Sequence, residues 1–239
     1  MPSGHIFATI TFIPHQLAAC SLIMHDLAQL EPFSKDVPPT KRGHERCLAL
    51  LLSANDLFLE HGYDAVSLDD IVHHAGGSKA FIYKYFGNKE GLFTAICDYR
   101  AEKFFKDICL PFESFEGNLR AYLIHTLDNF KSHLSVPANS AFLRLILERT
   151  QHNVELARYI YEQGPKHLQT SIAHALDHAA AQGLIRCENS LYSAQLFFGI
   201  LRNLEWRILM GLPVQDDPQT TDDYIHYCVD HFLQGHQIV

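Results

Sequence analysis

From residue 41 onward the apolar positions recur at helical spacing. Leu50, Ala54, Leu57 and Phe58 fall at i, i+4, i+7 and i+8, one stripe of an amphipathic helix that Gly62 ends. Leu92, Phe93, Ile96 and Tyr99 share one side of a longer helix, from Lys89 to about Ile108, and Pro111 closes it. Beyond it the pattern predicts helices over 119–133, 140–152, 155–163, 166–182, 190–210 and 221–234. The breaks between them are Pro137, Gly164-Pro165, Gly183 and Gly211-Leu212-Pro213. Strand-like alternation is nearly absent, so the pattern predicts an all-α chain.

The densest punctuation lies in residues 67–93, SLDDIVHHAGGSKAFIYKYFGNKEGLF. Ser67 followed by Asp70 forms a capping box ahead of Ile71 and Val72. Gly76 and Gly77 stop that helix, Ser78 caps a second one over 79–85, and Asn88 caps a third. Two short helices joined by a tight glycine-containing turn outline a helix-turn-helix. On a wheel of 100° per residue, Ile82 and Phe86 turn inward against Ile71, Val72 and Ala75. Ala80, Phe81 and Lys84 turn away, with Lys79 and Tyr83 on the flank. Taken alone, such a segment is also compatible with aromatics wrapping a core and lysines that only solubilise. Lys89 argues for more: it opens a helix, where the macrodipole disfavours a cation and a bound phosphate would reverse the sign. In a major groove Lys can donate to guanine and Ala or Phe can touch a thymine methyl.

Residues 46–93 resemble the DNA-binding domain of TetR-type transcriptional regulators. The resemblance is carried by Ala54, Phe58, Gly62-Tyr63, Ser67, Ile71, Ala75-Gly76-Gly77-Ser78-Lys79-Ala80, Ile82-Tyr83, Tyr85-Phe86, Asn88-Lys89-Glu90 and Leu92-Phe93. It implies an all-α, TetR-like fold: a three-helix head with the helix-turn-helix (41–88, motif 67–86), a connecting helix (89–110), and a helical body (111–239) that dimerises and binds a ligand. By matching position, Ser67 and Tyr83 would contact phosphates, and Lys79, Ala80, Phe81 and Lys84 would lie in or beside the groove. Lys89 would anchor a phosphate, Ser78 belongs to the same set, and Lys41 and Arg42 match loosely as a basic arm. Gly77 stands where the family often has a β-branched residue, and Phe81 where it often has a small polar one. An apolar contact, to a thymine methyl, is therefore expected of Phe81. The body resembles the C-terminal domain of AefR-like repressors through Phe142-Leu143-Arg144-Leu145, Glu155-Leu156-Ala157, Tyr161-Glu162-Gln163-Gly164-Pro165 and Ala181-Gln182-Gly183-Leu184-Ile185.

Composition changes this picture little. A net charge of −8 argues against the whole surface coating nucleic acid, yet the bases of the head gather at Lys41/Arg42/Arg46 and Lys79/Lys84/Lys89, so a local basic stripe survives. Six cysteines with no CxxC pair read as reduced thiols of a cytoplasmic protein, and no apolar run is long enough to span a membrane. Gly76-Gly77-Ser78-Lys79 lacks the spacing and the preceding strand of a phosphate-binding loop. His174, Asp177 and His178 share one helix, as His226 and His231 share another, but spacing does not make a converging zinc site; no metal, cofactor or catalytic constellation is expected. Residues 1–40 are expected to be a poorly ordered extension, on one account preceding a true start at Met24 or later, on another a docking segment. The aromatic-rich body is expected to hold a small apolar or aromatic effector, with Arg144, Arg149, His125 and Asn203 as candidate polar anchors. The 166–182 helix, rich in small alanines, and the long apolar 190–210 helix are the candidate dimer faces for a homodimer on a double-stranded operator. A repressor is the reading adopted; an activator, or a helical ligand-binding or enzymatic protein of the same fold without a DNA role, is the alternative.

Overall fold

Thr40 caps the first helix, its side chain accepting from the Gly43 N–H at 3.1 Å, and α1 runs from there over Lys41–His61. The structure is a computed structural model that describes residues 40–108, 110–212 and 218–237, so the 1–40 extension lies, but for Thr40, outside the described residues. Two further helices complete the head, α2 (Leu68–Ala75) and α3 (Lys79–Phe86), and α4 (Lys89–Ile108) leads from it to the body. The body follows as α5 (Leu119–Ser135), α6 (Pro137–Thr150), α7 (Val154–Tyr161), α8 (His167–Ala181), α9 (Ser190–Phe198), α10 (Arg202–Leu209) and α11 (Pro218–Gln234). No strand occurs among the described residues.

Two breaks read from the sequence take a different form, and one helix read as continuous is divided. Pro137 opens α6 at its first turn, where an absent N–H costs nothing. Gly164-Pro165 does not interrupt the chain's helical course: α7 passes into α8 through a π-helical turn, Glu162–Lys166, whose wider winding accommodates a ring without an N–H. The predicted 190–210 helix is in turn divided by a 3₁₀ turn, Gly199–Leu201, into α9 and α10.

Two apolar clusters hold the described chain together. In the head, Leu50, Ala54 and Phe58 of α1 are buried against Ile71 of α2, Ile82, Tyr85 and Phe86 of α3, and Leu92, Phe93 and Ile96 of α4. Phe58 and Phe93 are almost completely enclosed, and each contributes about 1.5–3 kcal/mol by burial. The same cluster takes in Phe142 and Leu145 of α6 and Leu156 of α7, so head and body share a core. The second cluster belongs to the body: Leu123 and Leu127 of α5, Ile172 and Leu176 of α8, Phe197 of α9, and Ile225 and Val229 of α11. Ala173, Ala175 and Ala179 of α8 are buried in it, beside Ala194 of α9. These three small residues let α8 pack closely on α9 of the same chain.

Candidate nucleic-acid interface

The outward face of α3 is built by its own ends. Ser67 starts α2 with a complete capping box: its Oγ accepts from the Asp70 N–H at 3.2 Å, and the Asp70 carboxylate accepts from the Ser67 N–H at 2.8 Å and from its hydroxyl at 2.6 Å. These bonds hold the Asp70 carboxyl below the usual carboxylate range. At Gly76, φ is +68°, which a residue with a Cβ rarely adopts, and the chain turns there into α3. Ser78 caps α3 by accepting from the Phe81 N–H at 3.3 Å.

With its start set, α3 buries Ile82, Tyr85 and Phe86 and leaves Lys79, Ala80, Tyr83 and Lys84 exposed. Lys79 donates to Asp69 of α2 at 2.8 Å, an exposed pair that raises the lysine's pKa and leaves its charge in water. The Lys84 ammonium lies 5.2 Å from the centre of the Tyr85 ring. Lys41 and Arg42 are exposed on the first turn of α1, within the helix and not on a separate arm.

Two of the anticipated contacts are differently disposed. Phe81 does not hold its ring free for a thymine methyl. The ring is half-buried, 4.5 Å from that of Tyr85, with the Arg46 guanidinium 5.4 Å above it. An aromatic ring beside a buried neighbour gains more by packing than by standing in water. Lys89 folds back: its Nζ lies 4.2 Å above the Tyr63 ring, and burial lowers its pKa. The Arg149 guanidinium of α6 stacks 3.9 Å from the centre of the same Tyr63 ring, with Asp64 at 3.3 Å from it. Asn153 donates to Glu90 at 2.7 Å beside this group. One tyrosine of the head thus carries two cations, one from α4 and one from the body. The start of α4 also lies so close to the end of α3 that a Cβ on Gly91 would stand 1.9 Å from the Phe86 carbonyl oxygen.

The four candidate ligand anchors do not converge. Arg149 belongs to the head–body contact just described. Arg144 donates to the Ile208 carbonyl at 3.1 Å at the end of α10. His125 is paired with Asn129 at 2.8 Å and packs on Phe115, while Asn203 is exposed on α10. None of them lines the cavity of about 560 Å³ between α1, α4 and α5, whose walls include Ile96, Tyr99, Arg100, Phe104, Asn129 and His133. Arg100 lies half-buried there and donates to Asn55 at 2.9 Å and Asn139 at 2.7 Å, two neutral amides. Burial lowers its pKa, and the sequence held no local signal for its place. Among the described residues no group of three His, Cys, Asp or Glu side chains is placed to hold a metal, and no helix is long and apolar enough to cross a membrane. Cys97 is buried, and burial pushes its thiol far up, as expected of a packing residue.

Comparison with known proteins bears on both halves of the chain. Residues 50–96 match the family model described as "Bacterial regulatory proteins, tetR family", and residues 121–237 match that of the "AefR-like transcriptional repressor, C-terminal domain". The HTH-type transcriptional regulator YezE of Bacillus subtilis is 29% identical over 160 residues, 64% of this chain and 80% of YezE. The HTH-type transcriptional repressor ComR of Escherichia coli is 45% identical over 56 residues, which span 23% of this chain and 27% of ComR. Among solved structures, the flavonoid-responsive regulator FrrA superposes with a TM-score of 0.71 at 27% identity, over 81% of this chain and 98% of FrrA.

Proposed function

Because the chain belongs to the TetR family of bacterial regulatory proteins, in its head and in its body alike, we propose that it is a ligand-responsive repressor that binds a palindromic operator as a homodimer. That it is a transcriptional regulator and not an enzyme follows from the family. The observation that carries the DNA reading is the α3 face, where Ala80, Tyr83 and Lys84 stand exposed on a helix whose other side is fixed in the core. Lys84 and Ala80 suit base edges, whereas Tyr83, Ser67 and Lys79 suit phosphates. A repressor is favoured by the names of both the body's family and ComR.

The homodimer is supported by a surface the alanines of α8 do not supply. Tyr192 and Leu196, four residues apart on α9, and Trp206 of α10 and Met210 just past its end, also four apart, are all more than half exposed, and Asn203 is exposed one turn before Trp206. Two heads held by such a dimer would reach half-sites about one helical turn apart, ~34–36 Å, or a multiple of it. The effector reading rests on the cavity beside α4: a ligand there touches α1 of the head, the connecting helix and α5 of the body at once. The flavonoid response in FrrA's name supports an aromatic effector. Lever-like movement of α4 would shift the heads off the operator spacing, and by linkage operator DNA weakens effector binding by the same factor, typically ~5–150-fold. A DNA-binding role supports a cytoplasmic location.

Titrating the full-length protein onto duplexes from the region upstream of its own gene, at several salt concentrations, tests this. Six to eight phosphate contacts per dimer give a log–log salt slope of roughly −5 to −7. Lys84→Ala is expected to weaken the best site by about tenfold or more and to relax its sequence preference. The absence of salt-dependent binding would sink the DNA assignment.

A further inference from the structure

Two residues of the head depart from the family's frequent pattern, Gly77 in the turn and Phe81 on α3, and they meet at a third residue. Arg46 lies on α1 one turn before Leu50, which is completely buried. It therefore emerges at the rim of the core, where α1 passes the turn between α2 and α3. A Cβ on Gly77 would stand 3.7 Å from Arg46 Nε and 3.9 Å from Leu50 Cδ2. A branched side chain there would reach about 1.5 Å further into the same space. Beyond Gly77 the guanidinium spreads over the Phe81 ring at 5.4 Å, and Phe81 is braced from beneath by Tyr85 at 4.5 Å.

The seat holds a cation without neutralising it. Arg46 is exposed, and its guanidinium forms no hydrogen bond or ion pair with any described residue, in contrast to Lys79, which is paired with Asp69. Its forked donors are thus free, and its long side chain is held at the first turn of α3, where that helix carries Ala80 and Lys84 outward. We propose that Arg46, seated by Gly77 and Phe81, is a positioned phosphate clamp at the edge of the DNA-binding face. Planar, bidentate donation suits a phosphate, and approach from α1, beside and not along α3, suits the backbone flanking the groove. On this account Phe81 acts as the pedestal of Arg46, and the missing small polar residue at 81 is replaced by a cation delivered from another helix. The seat also saves side-chain ordering when DNA arrives, an advantage of about two- to five-fold in affinity for an exposed cation–π contact.

The proposal rests on the DNA-binding reading, and its test separates the two. Fluorescence anisotropy with the full chain and its best duplex is measured across a salt series for the wild type, Arg46→Ala, Arg46→Lys, Phe81→Leu and the Arg46→Ala/Phe81→Leu double variant. Arg46→Ala is expected to weaken binding about tenfold per half-site, equally on all sequences, and to make the salt slope shallower by ~0.9 per half-site. Arg46→Lys keeps the charge and is expected to restore most of the slope but not all of the affinity. Phe81→Leu, which keeps an apolar packing residue, should weaken binding in the wild-type background and have no further effect once Arg46 is gone. An unchanged slope in Arg46→Ala with strong wild-type binding overturns the clamp alone. So do strictly additive Arg46 and Phe81 effects, or a loss confined to one base pair, which would indicate guanine reading. A wild type that shows no salt-sensitive binding overturns both readings.

Discussion

Asp98 makes the stability of this protein depend on pH in a way that can be worked out in advance. The residue lies on α4 and faces α7, where the Tyr159 hydroxyl donates to its carboxylate at 2.7 Å. Burial raises its pKa from 3.8 to about 6, against the lowering effect of that hydrogen bond. Its neighbours Cys97 and Tyr159 are both pushed upward by burial, so neither titrates below neutrality. The folded chain therefore holds the Asp98 proton more tightly than the unfolded chain does. The stability this contributes is complete below pH 3.8 and is lost as pH rises through about 6. Between pH 5 and pH 8 the loss is about 1.4 kcal/mol. Asp98→Asn keeps an acceptor for Tyr159 and removes the proton. Urea unfolding of both proteins at fixed protein concentration, followed by circular dichroism, gives the comparison. The variant's advantage over the wild type is expected to grow by about 1.4 kcal/mol from pH 5 to pH 8. Parallel stability curves would mean that Asp98 is solvated in solution and that α4 is not sealed against α7 there.

Gly91→Ala should destabilise by roughly 1–3 kcal/mol, although helix propensity alone would favour Ala by about 0.8–1, because the new Cβ meets the Phe86 carbonyl oxygen; a melting temperature equal to or above that of the wild type would contradict the packing of α3 on α4. Leu196→Glu with Trp206→Glu, both at exposed positions, should leave each protomer folded and convert the dimer to monomers by sedimentation velocity; a variant that still sediments as a dimer would exclude the α9–α10 surface as the interface.

Much of the head is written in short range. The capping box of Ser67 and Asp70, the caps at Ser78 and Asn88 and the inward side of α3 each depend on residues within one or two turns, so periodicity and punctuation were sufficient to place them. The misplacements all involve a partner distant in sequence. On its own helix Phe81 does turn away from Ile82, and it is Arg46 of α1 and the ring of Tyr85 that give it its half-buried setting. The start of its own helix says of Lys89 only that a cation is disfavoured there; the chain after α1 brings Tyr63 beneath it, and α6 brings Arg149 to the same ring. The alanines of α8 allow close approach of a neighbour, and composition does not say that Ala173, Ala175 and Ala179 meet α9 of the same chain.

By itself, then, the sequence determined the all-α class, the helix-turn-helix and which side of α3 faces the core, because hydrophobic period and capping are local properties of the chain. Tertiary structure alone decided which cations are paired with an acid and which rings the others lie over, where the cavity lies, and which apolar residues are left uncovered. Those outcomes depend on distances between helices that are far apart in sequence, and such distances are set by how the whole core packs.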